Sequence, residues 1–105
     1  MDNTITRGIS LAFVRVHILH HAAEGNIFGL EMMEELRHHG YAIGPGTLYP
    51  IFHSLESTGC LRSKQKVVNG KQRKYYAATA KGKRTLVELR KRIREMVREV
   101  LKEEK

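Results

Sequence analysis

Asn69-Gly70 stands at the middle of a polar and apolar alternation that runs from Leu61 to Ala78. Asn-Gly suits a two-residue type I′ turn better than other dipeptides, because both central positions of that turn need positive φ. A turn there fixes the register of a β-hairpin. Val68 then faces Lys71, Lys66 faces Arg73, Lys64 faces Tyr75 and Arg62 faces Ala77 on one side, while Val67 meets Gln72, Gln65 meets Lys74, Ser63 meets Tyr76 and Leu61 meets Ala78 on the other. The register sorts chemistry by face. One side gathers Arg62, Lys64, Lys66, Lys71 and Arg73 around Tyr75, and the other turns Leu61, Val67, Tyr76 and Ala78 toward a core with Lys74 at its margin.

The chain ahead of the hairpin has a helical period. From Ile9 to Ala23 apolar residues recur densely enough to cover a wide helical face, and Glu24-Gly25-Asn26 stops the run. Gly29 to His39 carries Leu30, Met33 and Leu36 at spacing three, opposite Glu31, Glu34 and Glu35, and ends at Gly40. After Gly44-Pro45-Gly46, Leu48, Ile51, Phe52 and Leu55 predict a third helix over about residues 46 to 58. Thr47 is its expected N-cap. An interior proline removes a hydrogen bond and crowds the preceding turn, so Pro50 is expected in or next to the first turn.

Thr79 can cap a last helix reaching about Glu104, along which Leu86, Leu89, Ile93, Met96 and Val100 keep the a/d heptad rhythm, widened by Val97 and Leu101. A chain of 105 residues is one domain in size. Residues 1 to 78 are read as its main unit and residues 79 to 105 as a helix belonging to the same compact body. With the core already built from the earlier elements, the distal apolar stripe needs another surface, and a second copy about a two-fold axis is the natural one.

Charge is distributed as unevenly as period. The chain carries 19 Lys and Arg against 11 Asp and Glu, a net +8 with a pI near 9.9. Residues 1 to 60 sum to −3, whereas residues 61 to 105 sum to +11, and the stretch from 61 to 84 holds nine Lys or Arg and no acid. Solubilising surfaces normally mix signs. An unmixed basic face points to a polyanionic partner, nucleic acid first.

Three helices followed by a hairpin is the order of a winged helix-turn-helix. Gly46-Thr47-Leu48-Tyr49-Pro50, then Leu55-Glu56 and Gly59, then Gly70 with Arg73-Lys74-Tyr75-Tyr76 and Thr79-Ala80-Lys81-Gly82, closely resemble the PadR family of transcriptional regulators. Arg7-Gly8 and Phe28-Gly29-Leu30-Glu31 resemble that family's beginnings of helices 1 and 2, and the match spans about residues 7 to 90. Leu30 stands where the family usually has Tyr, Cys60 where an aliphatic or aromatic residue is common, and His17, His20 and His21 occupy a helix that is ordinarily aliphatic. The resemblance implies a mainly α fold with a small β-hairpin. It also implies a homodimeric, usually repressing and ligand-responsive regulator, whose C-terminal helix packs on its mate and on helix 1. The single C-terminal helix matches the shorter PadR subgroup.

On a pseudo-palindromic double-stranded DNA operator, phosphate neutralisation and base reading call for different side chains. Arg62, Lys64, Lys66, Lys71 and Arg73, with Tyr75, are the expected backbone contacts, and Lys81, Lys83 and Arg84 follow. Helix 3 has no Lys or Arg from Gly46 to Gly59, so Thr47, Tyr49, Pro50, His53 and Ser54 must discriminate through hydroxyls, an imidazole and apolar contact with thymine methyls. The resemblance places Thr47 and Tyr49 on phosphates at the helix N-terminus. Dimerisation falls to Leu86, Leu89, Ile93, Met96, Val97 and Val100. The rival reading is a winged-helix module that binds protein partners without an operator. An RNA-binding role fits less well, since the sheet shows only Tyr75 as an outward aromatic.

No catalytic constellation stands out, and neither an enzyme nor a cofactor is expected. His17, His20 and His21 could assemble a Zn(II) or Ni(II) site in a dimer with carboxylates such as Glu24, but with no cysteine beside them the expected reading is surface or interface histidines and no metal. His38-His39 suit the end of a helix dipole. The single Cys60 rules out an internal disulfide and reads as a small buried hydrophobe. No apolar run approaches a bilayer span of about 20 residues, and the N-terminus lacks a signal-peptide pattern, so a cytoplasmic protein with no membrane partner is expected.

Overall fold

The computed structural model describes residues 3–102. The helix α1 spans Thr4–Glu24, beginning five residues before Ile9 because the side chain of Asn3 caps it, accepting from the amides of Ile5 at 2.9 Å and Thr6 at 3.3 Å. It buries Val14, Ile18, Leu19 and Ala22. A two-residue strand β1, Ile27–Phe28, leads into α2, Gly29–His38. The buried face of α2 is Gly29, Met32, Met33 and Leu36, the i, i+3, i+4, i+7 set. Leu30, expected on that face, is 53% exposed, because a stripe centred on Met32 and Met33 turns it outward.

The helix α3 runs Pro45–Ser57 with Gly44 as N-cap. Pro45 takes the first helical position, where its fixed φ and missing N–H cost nothing. Thr47 is therefore not the cap but lies within the first turn, and Pro50 falls in the second turn rather than beside the first. Leu48, Ile51, Phe52 and Leu55 are buried as their spacing predicts.

The hairpin forms in the predicted register over all eight pairs, from Leu61 with Ala78 to Val68 with Lys71, between β2, Leu61–Val68, and β3, Lys71–Ala78. Asn69 at φ 53° and Gly70 at φ 77° supply the two positive values a type I′ turn needs. The sheet has a third strand, since β1 pairs antiparallel with β3, Ile27 against Tyr76 and Phe28 against Tyr75, giving the order β1-β3-β2. Two residues are too few for a period to show in sequence. At the base of the hairpin Leu61, Tyr76 and Ala78 enter the core, where the Tyr76 ring stacks on Phe52 with centroids 4.4 Å apart. Val67, expected to face the core with them, is 72% exposed, because the hairpin tip projects beyond anything that could cover it.

The last helix, α4, spans Ala80–Val100, and its expected end near Glu104 lies outside the described residues. Thr79 caps it as predicted. Its hydroxyl accepts from the Gly82 amide at 3.0 Å and donates to the Gly59 carbonyl at 2.5 Å. Gly82 packs directly on the backbone of Cys60, so that a Cβ there would collide with the Cys60 carbonyl oxygen. Cys60 is buried and unpaired, as expected. Leu86 is buried and Leu89 packs at the edge of the core, but Met96, Val97, Val100 and Leu101 are 45–65% exposed. The radius of gyration, 15.1 Å, exceeds the roughly 13 Å of a compact chain this long, as two projecting elements require. Among the described residues, no helix is long and apolar enough to cross a membrane.

Candidate nucleic-acid interface

The outward face of the β2–β3 wing carries Arg62, Lys64, Lys66, Lys71, Arg73 and Tyr75, brought together by the period-2 alternation that the turn sets in phase. Arg73 is half-buried and the other four cations are exposed. Phe28 of β1, opposite Tyr75, extends the same face. The Arg73 guanidinium lies 4.8 Å over the Phe28 ring, Lys66 Nζ lies 5.6 Å over Tyr75, and the two rings sit 5.6 Å apart. Two of the five cations, Lys66 and Arg73, are thus propped on an aromatic pair by cation–π attraction rather than held by acids. Among the described residues the ion pairs join histidines or Arg92 to glutamates, and none involves the wing. Phe28 was not legible as part of this face because its strand was not.

Between the wing and α3 lies a groove of about 600 Å³ that Tyr49 and His53 line from α3 and Lys71, Gln72, Arg73 and Lys74 line from β3. Two groups singled out separately, the helix expected to read bases and the basic strand, therefore converge on one concavity. The Tyr49 ring packs 6.0 Å from Phe52, and its Oη would stand 2.9 Å from a Cβ on Gly29. At 44% exposure it is both a packing aromatic and a surface hydroxyl. Pro50, His53 and Ser54 are exposed on α3. On the opposite face, burial raises the Tyr76 hydroxyl pKa, while Lys74, with Nζ 5.6 Å over that ring, opposes the rise.

Other candidates lie elsewhere. Arg62, Lys64 and Tyr75 border a separate hollow with Asn26, toward the base of the wing. Thr47 is half-buried and lines a cavity of about 340 Å³ with Arg7, Ser10 and Tyr41, between the start of α1 and the start of α3. Lys81, read as a further phosphate contact, is exposed and donates from Nζ to the Thr58 carbonyl at 2.6 Å, which ties α4 to the end of α3.

A family profile described as "Transcriptional regulator PadR-like family" matches residues 18–88, from the end of α1 through α2, α3 and the wing to the start of α4. The chain is 48% identical over 95 residues to Transcriptional regulator Rv3488 of Mycobacterium tuberculosis, covering 90% of this chain and 89% of that protein. The fold is similar to a crystal structure of a PadR family transcriptional regulator from Eggerthella lenta, with TM-score 0.80 at 29% identity, covering 94% of this chain and 88% of that one. It is similar also to smu.1704 from Streptococcus mutans, with TM-score 0.77 at 28% identity, covering 90% and 89% of the two chains.

Proposed function

The chain belongs to the PadR-like family of transcriptional regulators, and from that premise we propose that it acts as a homodimer on a pseudo-palindromic double-stranded DNA operator, as a ligand-responsive repressor. The observation that carries this reading is the groove in which Tyr49 and His53 of α3 meet Lys71 and Arg73 of an acid-free wing face. A duplex seated there brings base edges to α3 and phosphates to the wing, the division of labour that operator recognition needs. Because α3 carries no cation, affinity comes mainly from the wing, and discrimination from Tyr49, Pro50, His53 and Ser54. Thr47, half-buried inside the first turn of α3, adds a contact at the helix N-terminus.

The uncovered residues supply the dimer. Ile93 is half-exposed, and Met96, Val97 and Val100 continue its stripe along α4. Ile5, Ile9 and Phe13 form a second exposed stripe on the first half of α1, at spacing four. Packing each stripe on its counterpart in a second copy about a two-fold axis buries both. Two copies of α3 then fall in successive major grooves about 34 Å apart. An effector bound at or between the subunits changes that separation and releases DNA.

The test is an electrophoretic shift on DNA from upstream of the protein's own gene. Replacing Lys64, Lys66 and Arg73 together by Ala is expected to lower affinity at least tenfold and to flatten the salt dependence by about two to three charges. Unchanged affinity and salt slope would overturn the wing assignment.

A further inference from the structure

The DNA-facing surface does not absorb the three histidines of α1, and the structure separates them. His17 stacks on His39, with ring centroids 4.9 Å apart, and meets Tyr41 edge-on. His20 and His21 turn toward Glu24, so that one ligand atom from each of these three residues lies within 4.8 Å of the other two. Helix geometry makes this possible, because positions three and four apart share a side.

We propose that His20, His21 and Glu24 bind one divalent metal ion of the zinc, nickel and cobalt class. Two imidazoles and a carboxylate leave a fourth position open to water, a donor set zinc accepts, whereas magnesium and calcium prefer all-oxygen ligands. Ligand bonds of about 2.1 Å put the atoms of a tetrahedral site roughly 3.4 Å apart. Closing from 4.8 Å asks only for side-chain rotation in residues whose side chains are 29–67% exposed. Glu35 of α2, with Oε2 3.8 Å from His21 Nε2, adds negative charge beside the site.

The site sits where α1 meets α4. Arg90 Nη2 lies 3.2 Å from His20 Nδ1. A guanidinium only donates, so Nδ1 accepts and the ring proton sits on Nε2, which faces Glu24 Oε2 at 3.7 Å. A metal ion that takes Nε2 forces the proton onto Nδ1, against Arg90, and adds like-charge repulsion. Ion and Arg90 therefore compete for His20. Since α4 is the proposed dimer helix, ion binding frees Arg90 and alters how that helix rests on α1. This regulatory step rests on the DNA-binding reading above, whereas the site itself does not.

Calorimetric titration of the full chain, stripped with chelator, with zinc chloride decides the site. Binding of one ion per chain is expected, weakened at least tenfold in His20→Gln/His21→Gln, unaffected in His38→Gln/His53→Gln and tightened severalfold in Arg90→Gln, with circular dichroism unchanged throughout. Absence of binding by the unaltered chain, or equal affinity in His20→Gln/His21→Gln, overturns the site. Visible absorption by the cobalt form, strong for a tetrahedral ion and absent in His20→Gln/His21→Gln, is a second readout. Saturating zinc is then expected to change DNA affinity at least threefold in the unaltered chain and not in His20→Gln/His21→Gln. Equal DNA affinities with and without zinc overturn the regulatory step and leave the titration to decide the site.

Discussion

The two halves of α4 share one apolar rhythm and meet different surroundings. In the first half Gly82 lies on the Cys60 backbone, Leu86 is 2% exposed and Leu89 packs at the core edge, all covered by this chain's own α1, β3 and the α3–β2 junction. In the second half Met96, Val97 and Val100 repeat the pattern on a stretch of helix that has run past the domain. The contrast teaches that a heptad stripe reports that a surface will be covered and not by what. Its first half is a stability element, its second is the association element of the proposed dimer, and substitutions separate the two.

Leu86→Ala is expected to have the largest effect, costing about 2–5 kcal/mol through lost burial and the cavity left behind. The melting temperature should then fall by about 10 °C or more. Gly82→Ala follows at about 1–3 kcal/mol, because the collision is with a carbonyl that cannot rotate away. A melting temperature within a degree or two of the unaltered chain in either variant would mean that the first half of α4 is not anchored as described.

In the second half, Met96→Glu/Val97→Glu is expected to leave a folded chain that sediments as a monomer at micromolar concentration. The association constant should fall by thirtyfold or more, the effect of charging the centre of an apolar interface. A dimer that persists would break the comparison and assign the distal stripe another role. Val67→Thr, at the exposed wing tip, is expected to shift stability by less than about 0.5 kcal/mol, in contrast to Tyr76 on the same side of β3 and β2.

The smallest expected effect is a pH dependence. Burial, and after it the neighbouring His39, His21 and His20, hold the His17 pKa below its ordinary value of 6.5, with Glu35 opposing weakly. The folded chain therefore binds fewer protons at His17 than the unfolded chain does, and stability rises with pH. As pH falls through 6.5 toward the lower folded value, stability is lost, and below that value the loss is complete. Thermal melts between pH 7.5 and 5.5 in chelator should show a shallower pH slope in His17→Gln. An identical slope would remove His17 as its source.

Much of the fold was written in local pattern. Asn69-Gly70 dictated a turn with two positive φ values, and the register of all eight wing pairs followed from it, because a one-residue slip would exchange the faces. Leu48, Ile51, Phe52 and Leu55 announced the buried side of α3 through spacing alone. Patterns fail where the decisive neighbour is remote. Met32 took the core place expected of Leu30 because the neighbours that α2 packs against select which face is buried, and Val67 stayed exposed because alternation says which side a residue is on and not how far the core extends. The strand β1 exists only because β3 has a free edge beside it.

The candidate interface divides the same way. Sequence alone determined that cations gather on one hairpin face without acids, that α3 carries none, and that an apolar stripe runs along α4, since charge, period and turn chemistry are properties of neighbouring residues. Tertiary structure alone decided that Tyr49 and His53 share a groove with Lys71 and Arg73, that Phe28 props Arg73, that Lys81 ties down the end of α3, and that Arg90 reaches His20. Each of those meetings joins residues from different elements. Their distances are set by how the helices and the sheet pack around Phe52 and Tyr76, and no local rule carries that information.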